Sequence, residues 1–253
     1  MLEIGIVGYG IVGQATARTL EKHTTIKKRD PVKGYEDNIS NCDIIFICIN
    51  EKDSRMVNLT KLINDLTKIN KKCFFVIRTT VIPGTTKAMA EKYKRNFVFM
   101  PEFLREWNAK KDSEDPDKIV IGTEDKGIFE TLATLFSDIV SVEYIIRVSP
   151  TEAELAKVAL NSLALIKVVF AEELFDLSKA LKADYNNIYR IFELDQNINE
   201  RHLIPENNNY RGANGKCLPK DTDFLIKIGE EKSKMALLEI ARVLNKLYLK
   251  VRE

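Results

Sequence analysis

Cys217 stands in the stretch Gly215-Lys216-Cys217-Leu218-Pro219-Lys220-Asp221, where a thiol meets the expected start of a helix. Pro219 suits a first helical turn, because the N–H that proline lacks would have no intrahelical partner there. Asp221 follows Cys217 by four residues, so a helix puts thiol and carboxylate on one face. Unpaired amides and the positive end of the helix dipole favour a thiolate, and Lys220 adds to that field. The chemistry on offer is covalent: a sulfur nucleophile adding to an electrophilic carbon. The bland alternative is a small buried cysteine beside a turn.

A second cluster lies at the other end of the chain. Gly8-Tyr9-Gly10-Ile11-Val12-Gly13 follows a strand-like apolar run and opens a helical pattern. In that context three glycines let backbone amides, including those of Ile11 and Val12, approach a pyrophosphate at a helix N-terminus. Asp30, at the end of the second expected strand, is placed to accept hydrogen bonds from a ribose 2′-hydroxyl, which argues for NAD over NADP. Arg29 beside it is the one residue that would tolerate a 2′-phosphate.

These residues need elements to hold them. The first half alternates short apolar runs with helical patterns: Ile4 to Val7, Val12 to Leu20, Thr25 to Arg29 and Cys42 to Ile49. Further strands are expected at Cys73 to Arg78, Phe97 to Met100, Lys118 to Gly122 and Val142 to Val148. Strand and helix in alternation predict an α/β fold, a Rossmann-like doubly wound parallel sheet. Near Pro150 the pattern changes. Leu155, Val158, Leu165 and Val169 are spaced by threes and fours, so an all-helical domain is expected to follow. The predicted division is residues 1–149 for the NAD-binding domain and 150–253 for the helical one. The segment from Asn197 to Lys216 is too polar for a core element, and loops of that length are often functional.

Composition narrows the classes. The chain of 253 residues is 45% hydrophobic and 30% charged, with a net charge of +2 and both signs interspersed. No basic surface for nucleic acid is expected, and runs such as Lys27-Lys28-Arg29 are too short to make one. No long apolar run or leader-like N-terminus occurs, so the expectation is a cytoplasmic protein without a membrane partner. Cys42, Cys48, Cys73 and Cys217 are too scattered for a zinc motif, and no metal is expected.

Five blocks in order, GYGIVG, RTTVIPGTT from Arg78, PEFLRE from Pro101, TEAELAKVALNSLALIKVVFAEEL from Thr151 and GKCLPKDT from Gly215, resemble the UDP-glucose/GDP-mannose dehydrogenase family. That family oxidises the C6 alcohol of a nucleotide sugar to a carboxylate with two NAD. The resemblance implies that Cys217 forms a thiohemiacetal and then a thioester, and that Lys157 and Asn161, one helical turn apart, stabilise a developing oxyanion. Glu102 would be the general base for thioester hydrolysis, with Asp221 and Thr80 orienting the water. Asn50, Thr79, Thr80 and Glu106 would lie at the cofactor. Glu102, Phe103, Leu104, Arg105, Lys157, Asn161, Tyr210, Gly212 and Gly215 would meet the nucleotide-sugar substrate. Glu102 and Glu106 could equally be surface carboxylates on a first helical turn.

The resemblance runs from residue 8 to about 225 and has departures. Asn197 stands where the family has an arginine that crosses a dimer interface, with Arg201 as a candidate substitute. Ala213 and Asn214 replace a Phe and a Gly before the cysteine, and Asn50-Glu51 replaces Thr-Pro after the fourth strand. The family's third domain, which closes over the nucleotide, has no counterpart before Glu253, so an open pocket or one completed by another chain is expected. A homodimer through the helical domain, including the last helix, is expected by the same analogy. Two alternatives stay open: a single-step hydroxyacid dehydrogenase using Lys157 and Asn161 alone, and a silent NAD-binding partner of a longer relative.

Overall fold

Runs of isoleucine, valine and phenylalanine make the central strands, and their burial on both faces explains why these read as near-continuous apolar segments. The structure, a computed structural model, describes residues 2–22, 24–105, 108–205 and 210–250. The strands are β1 (Glu3–Val7), β2 (Thr25–Asp30), β3 (Tyr35–Glu36), β4 (Ile44–Ile47), β5 (Phe74–Ile77), β6 (Phe97–Phe99), β7 (Ile119–Gly122) and β8 (Ile145–Val148). They form one sheet in the order β3-β2-β1-β4-β5-β6-β7-β8. Between them run α1 (Ile11–Leu20), α2 (Val57–Ile69), α3 (Thr85–Tyr93), α4 (Ala109–Glu114) and α5 (Lys126–Phe136).

The sheet is mostly parallel, with two departures from the expected pattern. The short β3 returns antiparallel to β2, and β7 runs antiparallel to β6. The second reversal has a simple cause. Among the described residues, the α-helix between β6 and β7 is the six-residue α4, spanning about 9 Å, so the chain turns back at the strand ends instead of crossing the sheet. Ile4, Ile6, Phe46, Val76, Val98, Met100, Ile121, Leu132 and Phe136 pack as one core. Register aligns Ile47 of β4 with Ile77 of β5, and Ile77 with Phe99 of β6. The strand ends that carry Cys48, Arg78 and Met100 therefore lie side by side.

The helical part comprises α6 (Pro150–Ala180), α7 (Tyr185–Leu194), α8 (Cys217–Lys232) and α9 (Ala236–Tyr248). The chain divides into two compact units, Met1–Lys157 and Val158–Glu253, so the change of unit falls inside α6. In the second unit Leu165 and Val169 of α6 pack with Ala213 and with Ala241 of α9. Among the described residues no helix is long and apolar enough to cross a membrane.

Candidate active site

The first unit carries the glycine turn. Gly8 has a φ of +87°, and a Cβ there would meet the Cys48 carbonyl oxygen at 2.7 Å. A Cβ on Gly13 would lie 2.0 Å from the Gly8 carbonyl oxygen, so helix and strand approach as closely as only glycine permits. Gly10, the N-cap of α1, faces open space, and no side chain caps that terminus. Ile11 and Val12 begin the helix, and their amides are free for a phosphate. Asp30, at the end of β2, accepts a hydrogen bond from the Tyr9 amide at 2.8 Å, and Lys33 donates to the Tyr9 carbonyl at 3.1 Å. The acidic residue thus sits against the turn itself. These features fit a dinucleotide: space over Gly10, uncapped amides, and a carboxylate beside them.

Around the ends of β4, β5 and β6 the expected residues divide into two sorts. Thr79 is buried, and its hydroxyl donates to the Ile49 carbonyl at 2.9 Å, so it ties the loop after β5 to the end of β4. Thr80 is half-buried and Asn50 exposed. Glu51, next to Asn50, turns inward instead. It accepts from the amides of Lys52, Asp53 and Leu59 and from Asn58. Burial pushes its carboxyl up, but these bonds outweigh that and leave it below its ordinary value.

Glu102 lies past β6 in extended chain, not on a helical turn. Its Oε2 accepts from the Leu104 amide at 2.8 Å. The Lys157 ammonium donates to the Glu102 carbonyl at 2.7 Å and stands 3.7 Å from Oε1. Phe103 offers its ring to both Lys118 and Lys157, at 4.8 and 5.2 Å. Arg105 is committed elsewhere: its guanidinium forks onto Asp112, with Nε 2.9 Å from Oδ2 and Nη2 2.5 Å from Oδ1. Glu106 lies outside the described residues.

Two residues that pattern reading passed over shape this region. Glu154 is fully buried, and its two oxygens accept from the amides of Gly84 and Thr86 at 2.6 and 2.8 Å. It caps α3 from α6, one turn before Lys157. Arg78 is also buried, and its Nε has no hydrogen-bond partner. Its signal in the sequence was a lone charge closing an apolar strand run.

The second unit holds the thiol. Cys217 is exposed, forms no disulfide, and is the first residue of α8. Asp221, one turn on, is buried, and its Oδ2 accepts from the Asn161 amide nitrogen at 2.5 Å. The Lys220 ammonium lies 2.8 Å from Oδ1, an ion pair whose alignment falls short of a hydrogen bond. The approach to Cys217 is tightly held. Glu172 accepts from Arg211 and from the Gly212 amide, both at 2.7 Å, while Asn245 bonds the amide and the carbonyl of Ala213. Gly212 has a φ of +74°, Gly215 faces open space, and Tyr210 is exposed. Among the described residues no group of three or more His, Cys, Asp or Glu could hold a metal ion.

Residues 18–140 match the NAD binding domain of the UDP-glucose/GDP-mannose dehydrogenase family, and residues 151–247 match its central domain. The UDP-glucose 6-dehydrogenase of Rickettsia conorii is 32% identical over 198 residues, covering 74% of this chain and 45% of that protein. UDP-glucose 6-dehydrogenase YwqF of Bacillus subtilis is 29% identical over 223 residues, 83% of this chain and 49% of its own length. The chain thus spans about half the length of these curated relatives. A UDP-glucose dehydrogenase structure from Pyrobaculum islandicum shares the fold with a TM-score of 0.84 at 23% identity, covering 98% of this chain and 68% of that one. With the glycine turn built for NAD and both domain models matched in order, the chain belongs to the UDP-glucose/GDP-mannose dehydrogenase family.

Proposed function

We propose that the protein oxidises the C6 alcohol of a nucleotide sugar to the carboxylate in two steps, with Cys217 as the covalent nucleophile. The observation that carries this reading is Asn161 on Asp221, one turn past an exposed thiol at a helix start. Bound NAD supplies the hydride acceptor, one molecule for each step. Lys157 and Asn161 would hold the substrate oxygen as it loses its proton and the C6 hydrogen leaves as hydride, giving an aldehyde. The Cys217 sulfur then adds to that aldehyde carbon, and the oxygen of the resulting thiohemiacetal rests on the same two donors. Loss of a second hydride leaves a thioester. Glu102 would take a proton from water as it attacks the thioester carbon, Asp221 and Thr80 would orient that water, and the C–S bond breaks to return the thiol and release the acid.

Asp221 Oδ1 supports a water-orienting role, because a shielded carboxylate oxygen ion-paired at 2.8 Å to Lys220 still has a second lone pair to offer a water. We further propose a homodimer through the helical part. The reading is tested by NADH stoichiometry on a panel of nucleotide sugars and small hydroxy acids. The wild type should release two NADH per nucleotide sugar, and Cys217→Ser should release no more than one. One NADH per substrate with an unaffected serine variant would favour the single-step hydroxyacid alternative.

A further inference from the structure

Arg78 directly follows β5, whose Val76 belongs to the core with Cys48, Val98 and Met100. The ladder carries on one residue past β5, where the Arg78 amide donates to the Ile47 carbonyl at 2.9 Å, so Arg78 projects beside Cys48 and toward Met100, two residues before Glu102. It is 9% exposed, and its Nε is shielded from solvent without a partner. A buried guanidinium in that state is expensive, and burial pulls it below its ordinary value, while the two groups that favour its charge are Cys48 and Glu102. Burial pushes the Cys48 thiol up to about 11, so that group is neutral at working pH and offers no counterion. Among the described residues, Glu102 is the carboxylate that remains.

Glu102 is therefore flanked by two cations, Arg78 from inside and Lys157 at 3.7 Å from Oε1. The ammonium is not closed onto the carboxylate. It donates instead to the Glu102 carbonyl at 2.7 Å. We propose that Arg78 is a positioning residue: by sharing the charge of Glu102 from within the core, it keeps Lys157 from collapsing into an ion pair and leaves the ammonium available to the substrate oxygen. This rests on the proposed role of Lys157. The three groups sum to one positive charge, which matches the single negative charge that develops on that oxygen. Without Arg78, the attraction between Glu102 and Lys157 is undivided, and in a shielded site it strengthens steeply as the pair closes.

The test is a double-mutant cycle of Arg78→Met and Glu102→Gln, with Arg78→Lys as the charge-keeping control. Arg78→Met replaces a costly buried guanidinium, whose Nε has no hydrogen-bond partner, by an apolar side chain, so it should melt higher than the wild type, by a few degrees. It should nonetheless slow the first burst of NADH about tenfold, and Glu102→Gln in the same chain should restore that burst to within about threefold of Glu102→Gln alone. A readout without turnover accompanies this: acylation of Lys157 by acetic anhydride, followed by mass spectrometry, should fall in Arg78→Met and recover in the double variant and in Arg78→Lys. An Arg78→Met protein that melts lower, with no recovery on adding Glu102→Gln and unchanged labelling of Lys157, overturns the proposal. If no nucleotide sugar yields NADH with the wild type, the proposed function falls, and the labelling still decides the coupling of Arg78 to Lys157.

Discussion

At Gly13 the helix and the strand leave no room for a single methyl group. An alanine Cβ would stand 2.0 Å from the Gly8 carbonyl oxygen, a contact with backbone that no side-chain rotation relieves. Gly13→Ala should therefore displace the turn and weaken NAD binding about tenfold or more, as calorimetric titration would show. The turn was legible because its chemistry is local, three glycines between a strand and a helix. Arg105 shows the opposite. Its place in PEFLRE suggests a substrate contact, but its partner Asp112 sits seven residues on, and only the fold of the connection to α4 brings them together. The Arg105 guanidinium holds the Asp112 carboxyl well below the usual carboxylate range. A depressed carboxyl stabilises the fold above its unfolded value, about pH 3.9, and that contribution fades as pH drops toward the folded value. Asp112→Asn should then melt below the wild type at pH 7, with the gap narrowing on acidification below about pH 4. A gap that is constant across that range would show that the ion pair contributes nothing.

Between elements, what holds α3 and the approach to Cys217 in place comes from far along the chain. The N-terminus of α3 begins at Gly84, which carries no side chain to cap it, and the cap is Glu154 on α6, separated by 70 residues. The same applies to the approach to Cys217. Asn245 of α9 replaces a neighbouring strand for Ala213, accepting from its amide at 2.7 Å and donating to its carbonyl at 3.1 Å. Sequence periodicity marks α6 and α9 as helices, because each repeats apolar residues by threes and fours, and Pro219 marks the start of α8. It is silent on which buried polar residue will serve another element, since one asparagine or glutamate in a helix reads like any other. Removing Asn245 strands two buried backbone groups. Asn245→Ala should cost about 2 kcal/mol in denaturant unfolding. It should also lower turnover beyond what the stability loss explains, because the chain leading to the proposed nucleophile would lose its anchor. Turnover matching the wild type at equal folded fraction would confine Asn245 to structure.

At the scale of the whole molecule, the longest helix presents an apolar stripe that its own unit leaves uncovered. Leu160, Leu163, Lys167, Phe170, Leu174, Leu177 and Leu181 follow one another at alternating steps of three and four along α6. Leu163, Phe170 and Leu177 are 54%, 50% and 53% exposed. That spacing is the seam of paired helices, and about 30 Å of it is long enough for a partner helix to lie against. Leu237, Ile240, Val243 and Leu247 of α9 are exposed as well. A second copy of the chain suits the stripe because a two-fold axis matches the face with itself, apolar to apolar, and needs no second surface. The break at Lys167 is tolerable, since its ammonium turns aside to the Asn199 carbonyl. Sedimentation should give a dimer for the wild type. Leu163→Glu with Phe170→Glu should give a folded monomer, because both side chains face outward and their loss leaves the core of the unit intact. A wild type that sediments as a monomer at tens of micromolar would end the dimer proposal. A dimer undisturbed by the two glutamates would move the interface to another face, with α9 the next to test.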